Sequence, residues 1–245
     1  MTRPRTKIGL IVPSSNTTVE PDFQRVVPPG VTLHAARMWL VDTTPDGLEA
    51  MNEEAETAAR ALGSAAVDVV AYACTSGSFL GGPGYDEVLL AKIEGVAGGA
   101  PAVGTSPAVV EALRASGIRR VAVVTPYVDS INERLRTFLE AHGLEVSSMA
   151  GQQLVANLDI GKQTPDQVLR FANVHLFKEA DGFFLSCTNW RAMEVAEPLE
   201  QALGKPVVTS NQATIWAAFR AVGLTDAVAG YGRLLRSIAP ARAGA

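Results

Sequence analysis

The chain holds two cysteines, Cys74 and Cys187, and each closes an apolar run and precedes a threonine. The runs are Val67-Asp-Val-Val-Ala-Tyr-Ala-Cys74-Thr75 and Asp181-Gly-Phe-Phe-Leu-Ser-Cys187-Thr188. A thiol placed where a buried strand opens into a helix lies beside unpaired backbone N–H groups, which favour an anion. That position is expected to lower the thiol pKa and so supply a nucleophile. A lone cysteine in such a run is more often a packing residue, because free cysteine is among the most buried residue types. Two in matching contexts read instead as a thiol pair facing one small acidic substrate. Thr75, Ser76 and Gly77 after the first cysteine, and Thr188 and Asn189 after the second, add donors suited to a carboxylate.

Other polar residues fall at comparable places. Pro13-Ser-Ser-Asn16-Thr-Thr18 reads as a capped turn, since Ser, Thr and Asn favour turns and caps. It also leaves the Asn16 amide at the carboxyl end of a strand, where ligands bind in open α/β sheets. Tyr127, in Thr125-Pro-Tyr127, is either a phenol donor or a packing residue. Asn157, in Val155-Ala-Asn157-Leu-Asp159, is either a donor or part of a turn, and its spacing does not decide. His34, His142 and His175 are scattered, and no Cys-x-x-Cys, phosphate loop or Gly-x-Gly-x-x-Gly occurs. No metal and no cofactor are expected.

These residues need strands to carry them. Short Val/Ile/Leu-rich runs alternate with longer amphipathic stretches, the pattern of a parallel sheet covered by helices, so the class is α/β. The expected strands are Lys7–Val12, Val31–Leu40, Val67–Cys74, Pro101–Thr105, Arg119–Thr125, Leu144–Ala150, Asp181–Cys187 and Pro206–Ser210. Helices are expected over Pro45–Ala61, Val128–His142, Thr164–Ala180 and Trp190–Leu203. The chain also repeats at an offset of 113 residues, which sets Cys74 on Cys187 and Ile8-Gly-Leu-Ile-Val-Pro13 on Val121-Ala-Val-Val-Thr-Pro126. Two similar four-strand units follow, packed closely, with a ligand crevice at the carboxyl ends of both sheets.

Composition narrows the partners. A net charge of −4 and a pI near 5.5 give no basic surface for nucleic acid or anionic membrane. The apolar run after the N-terminal basic residues is too short for a signal peptide, and no run approaches a membrane span, so a cytoplasmic protein with free thiols is expected.

At Pro13-Ser-Ser-Asn16-Thr-Thr, Ala73-Cys74-Thr and Ser186-Cys187-Thr the chain resembles the aspartate/glutamate racemase superfamily, in its maleate isomerase and arylmalonate decarboxylase branch. The resemblance covers essentially the whole chain. It implies two flavodoxin-like units related by a pseudo-twofold axis with the site between them: residues 1–105 with 211–245, carrying Asn16 and Cys74, and residues 106–210, carrying Tyr127, Asn157 and Cys187. By resemblance Cys74 matches the family's nucleophile and Cys187 its acid, while Asn16, Tyr127 and Asn157 match its carboxylate-binding groups; a homodimer is implied by the family alone. The activity implied is cofactor-independent cis-trans isomerisation of a small unsaturated dicarboxylate, maleate to fumarate. Alternatives are a two-thiol racemase or epimerase, a malonate-type decarboxylase and a non-catalytic small-acid binder. Decarboxylases of the branch carry glycine where this chain has Cys74. Racemases typically have Asn-Thr after the first cysteine, where Thr75-Ser76 stands here.

Overall fold

The computed structural model describes residues 6–175 and 179–238. Strands β1 (Thr6–Pro13), β2 (Val31–Met38), β3 (Val69–Tyr72) and β4 (Ala102–Gly104) form a sheet in the order β2-β1-β3-β4. Strands β5 (Arg120–Thr125), β6 (Glu145–Gly151), β7 (Gly182–Leu185) and β8 (Val207–Thr209) repeat it as β6-β5-β7-β8. Every pairing is parallel. The central strands β3 and β7 are buried along their whole length, as expected of strands with helices on both faces. In each sheet the chain reverses its direction of winding between the first and third strands. The loops after β1, β3, β5 and β7 therefore open at the two switch points, where ligands bind in this kind of sheet.

All eight expected strands are present, and β2, β3, β4, β7 and β8 end one or two residues before the expected runs do. Cys74 and Cys187 each lie two residues past the last paired residue, Tyr72 and Leu185. The expected helix over Pro45–Ala61 is two helices, Pro45–Asn52 and Ala55–Ser64. The break falls where the Asn52 amide leaves the helix surface to donate to Gly77 O and the Tyr85 hydroxyl, each at 2.9 Å, while its oxygen accepts from Tyr72. The second helix is thereby free to turn onto β1, β2 and the helix Tyr85–Val96. The helix expected over Trp190–Leu203 starts at Met193, because Trp190 is buried in the preceding turn; it ends at Gly204, whose φ of 71° suits glycine. Of the helix expected over Thr164–Ala180, Pro165–His175 is observed, and residues 176–178 lie outside the described residues.

The sheets meet through the helices that follow β4 and β8. Thr105–Ala115 and Ser210–Ala221 pack on each other, and the latter also touches β3, β4 and β8. Their seam is polar at its heart: Thr105 and Thr214 hydroxyls are 2.9 Å apart, and both residues are fully buried. The start of Ser210–Ala221 is fixed by a capping box, with the Thr209 hydroxyl accepting from Gln212 N at 3.2 Å and the Gln212 side chain accepting from Thr209 N at 2.9 Å. Replacing Thr209 by Ala removes one buried arm of that box. A loss of about 1–2 kcal/mol of unfolding free energy is expected in denaturant melts; a change within error would show that the box does not hold this helix end.

Candidate active site

Cys74 takes the N-cap position of a short helix, Thr75–Phe79, with an extended backbone, φ −142° and ψ 113°. Its Sγ accepts from Gly77 N at 3.4 Å and lies 3.8 Å from the Ser76 hydroxyl. Gly77 has no room for a side chain, since a Cβ would run into the Tyr72 hydroxyl. Cys187 is built differently. Its φ of 121° is one that non-glycine residues rarely adopt, and its Sγ accepts from Asn189 N at 3.4 Å. A backbone held there stores on the order of 1–3 kcal/mol of strain, and such residues concentrate at functional sites.

Both thiols are free and buried. Burial raises Cys74 to about 11 and Cys187 to about 12, against hydrogen bonds from Gly77 and Asn189 that pull the other way. The lowered pKa expected from the strand-to-helix position is therefore corrected. A single N–H donor at the mouth of a five-residue helix does not offset removal of the thiolate from water. Cys74 acts electrostatically on Cys187, and both act on Tyr127, which places the three groups in one neighbourhood. Burial, and then the Cys187 thiol, holds the Tyr127 phenol well above its ordinary value, so it stays a proton donor. Its hydroxyl lies against the Ser186 hydroxyl and the Cys187 thiol, and neither hydroxyl makes a well-formed hydrogen bond within the described residues, which leaves both able to serve a polar ligand.

The other expected residues gather here as well. Asn16 keeps both of its readings: its Oδ1 caps the turn by accepting from Thr18 N at 2.9 Å and Val19 N at 3.1 Å, while its Nδ2 donates to the Thr188 hydroxyl at 3.1 Å. One amide N–H remains beyond these bonds. Asn157 donates to the Ser15 hydroxyl at 2.8 Å, so each amide reaches from its own sheet to a loop of the other. Thr75 and Thr188 are brought to the site, but their hydroxyl protons have protein acceptors. Thr188 Oγ1 donates to Ala73 O at 3.1 Å, and Thr75 Oγ1 donates to the Ser210 hydroxyl at 2.9 Å. The Ser210 oxygen also accepts from Cys187 N at 2.9 Å.

Ser210 and Asn189 complete this frame: Asn189, expected as a donor to a carboxylate, is engaged by the protein itself, and Ser210 is not among the residues expected from the sequence. The Asn189 side chain accepts from Thr17 N at 2.9 Å and donates to Asn157 O at 2.7 Å, and its carbonyl takes the Thr18 hydroxyl at 2.9 Å. Ser210-Asn211 stands at the end of β8 as Ser15-Asn16 stands after β1, a signal available in the sequence. Arg191 pairs with Glu194 at 2.8 Å and half-faces solvent. Among the described residues no group of His, Cys, Asp and Glu is placed to hold a metal ion, and no helix is long and apolar enough to cross a membrane.

Two parallel sheets with a buried thiol at each switch point define an α/β enzyme of the two-thiol kind. The sequence model of the arylmalonate decarboxylase family matches residues 8–235, and the chain belongs to that family. The maleate isomerase of Nocardia farcinica is 35% identical over 239 residues, covering 94% of this chain and 95% of that protein. Among solved structures, maleate isomerase from Pseudomonas putida S16, as a cysteine-to-alanine variant with maleate, superposes with a TM-score of 0.90 at 28% identity, covering 95% of this chain and 98% of that one. The Nocardia farcinica maleate cis-trans isomerase, as a cysteine-to-serine variant with a covalently bound succinylcysteine intermediate, gives 0.89 at 32% identity, covering 94% and 98%.

Two outcomes are expected. With both thiols raised by burial, the Cβ carbons of 13C-labelled Cys74 and Cys187 in the ligand-free protein carry thiol shifts at pH 7.5 and move only above about pH 9; a thiolate shift at neutral pH would contradict the burial argument. Because Cys187 has positive φ, Cys187→Gly should melt higher than Cys187→Ala, by about 1 kcal/mol, the reverse of the usual Gly–Ala order. Equal or inverted stabilities would mean that position 187 stores no strain.

Proposed function

We propose that this protein is a cofactor-independent isomerase that converts maleate to fumarate. The observation that carries the reading is the opposition of two buried thiols across the junction of two like sheets, in a chain matched over nearly its full length by maleate isomerases. Cys74, as its thiolate, adds to one alkene carbon of maleate, and the neighbouring carbon takes a proton from the Cys187 thiol. The product is a succinyl thioether on Cys74 with Cys187 as thiolate. The former double bond is now single and rotates. Cys187 then removes the proton, the double bond re-forms in the trans geometry, and Cys74 leaves as thiolate. Protons and electrons balance without an added group.

The two thiols divide these roles by environment. Cys74 has the Gly77 N–H and the Ser76 hydroxyl beside it, which favours its thiolate, whereas Cys187 is raised further and faces the Tyr127 phenol. Asn16, Tyr127 and Asn157 donate to the substrate carboxylates, whose charge builds during addition. Thr75, Ser76 and Thr188 contribute through the loops they hold beside each thiol. In the same reading residues 1–105 with 211–245 form the unit of Asn16 and Cys74, and residues 106–210 the unit of Tyr127, Asn157 and Cys187. The packing of helix Ser210–Ala221 against β3 and β4 supports that division. Two reduced thiols suit the cytoplasm.

Proton NMR of maleate with the purified protein, without added metal or cofactor, tests the assignment. Fumarate should accumulate with wild type, fall to background with Cys74→Ser, and form about 10²–10⁴-fold more slowly with Cys187→Ser. Unchanged maleate with wild type, or near-wild-type turnover with Cys74→Ser, would overturn it.

A further inference from the structure

The helix Val19–Val26 buries Val19, Phe23 and Val26, and on the same face it buries a carboxylate, Asp22, with no exposure at all. The proposed chemistry does not use this group. Its Oδ1 takes Arg25 Nη1 at 2.7 Å, and its Oδ2 takes Asn211 Nδ2 at 2.7 Å. Asn211 Nδ2 also donates to Thr188 O at 3.0 Å, so one amide group spans from the buried carboxylate to the residue after Cys187. Thr188 in turn bonds Asn16 Nδ2 and Ala73 O through its hydroxyl. The orientation of the Asn211 amide is dictated by its neighbours: with a carboxylate and a carbonyl on one side, only the NH2 end fits there. The Asn211 oxygen is left buried without a partner among the described residues.

We propose that Asp22 and Asn211 form a positioning pair for the proposed isomerisation, in which the Asp22 carboxylate aims the Asn211 amide at Thr188 O and so fixes Thr188 between Asn16 and Cys74. This rests on the reading of the site given above. A protonated Asp22 has an O–H to donate, and the Asn211 oxygen beside it is a buried acceptor that lacks a donor among the described residues. Satisfying it requires the amide to turn over, which withdraws the donor from Thr188 O. Burial raises the Asp22 pKa to about 6, against the bonds from Asn211 and Arg25, so the change falls within a working pH range. The charged groups around it are Arg25 on its own helix and, across the packing, Glu194, which is 3.6 Å from Arg25 and paired with Arg191. Glu194 raises the Asp22 pKa and Arg25 lowers it.

The pH dependence of turnover, set beside the stability change, separates this role from a structural one. The folded pKa lies above the ordinary 3.8, so the stability from neutral Asp22 is complete below that value and is lost as pH rises through about 6. Asp22→Asn is therefore expected to melt higher than wild type at pH 8 while turning over maleate more slowly. The ratio of wild-type to Asp22→Asn kcat/KM, in which the ionisation of the substrate cancels, should be about tenfold at pH 8, the worth of one charge-assisted hydrogen bond, and fall towards unity by pH 5 with a midpoint near 6. A ratio that does not change with pH, whatever the melting temperature, would overturn the proposal. A second measurement needs neither a variant nor turnover: the 15N resonances of the Asn211 side chain and the Thr188–Asn189 amides in wild type should titrate together near pH 6. If wild type leaves maleate unchanged, the functional reading fails by itself. The Asp22–Asn211 coupling to Thr188 then stands if those resonances move together and falls if they do not.

Discussion

Two buried hydroxyl groups hold the sheets together at the points where chemistry is placed. Thr188 gives its proton to Ala73 O, the carbonyl just before Cys74, and Ser210 accepts from both Thr75 and the backbone N–H of Cys187. Each bridge ties the neighbourhood of one thiol to that of the other. All of the groups are nearly or fully out of water, so breaking a bridge leaves a buried donor or acceptor unpaired, at about 1–3 kcal/mol each. The separation of Cys74 and Cys187 is accordingly fixed by short hydrogen bonds at the loops themselves. The β strands set the coarse position, and the hydroxyls set the last ångström.

On this frame the two halves are alike in topology and unlike in detail. Sheet order and thiol position repeat, yet Cys74 is extended and capped by Gly77, whereas Cys187 has positive φ and faces Tyr127. Sequence repetition alone treats the thiols as equals. On the proposed mechanism the anion-stabilising cap of Cys74 and the strained backbone of Cys187 suit them to separate parts in an addition and elimination. Burial costs both thiols their ready ionisation, so the charged form depends on the donors brought together at the junction.

The strands were legible because fully buried parallel strands write themselves as Val/Ile/Leu runs, and the 113-residue repeat located both switch points. The strand ends were less so, since Ala73, Cys74 and Ser186 continue the apolar or small-residue pattern past the last ladder bond. The helix break at Asn52 is not written in the local sequence because it depends on Gly77 and Tyr85, which are distant in sequence. Asn16, Tyr127, Asn157 and both cysteines could be singled out because polar or reactive types stood just after apolar runs. Ser210 stands with Asn211 after β8 as Ser15 stands with Asn16 after β1, but a serine at a strand end is ordinary and does not by itself mark a site residue. Asp22 left a trace in the sequence, a charge at helical spacing between Val19 and Val26, but its meaning required the Asn211 contact. The raised thiol pKa values follow from complete burial, which depends on how the two sheets close on each other.

The central claim is that the two thiols are not interchangeable, Cys74 forming the covalent bond and Cys187 moving the proton. Peptide mapping by mass spectrometry of Cys187→Ser protein, acid-quenched during exposure to maleate, tests it most directly. The account predicts a succinyl group on Cys74, and no such group anywhere in Cys74→Ser protein treated alike. A succinyl group on Cys187 in Cys74→Ser protein, or no adduct in either variant from an enzyme that makes fumarate, would contradict it.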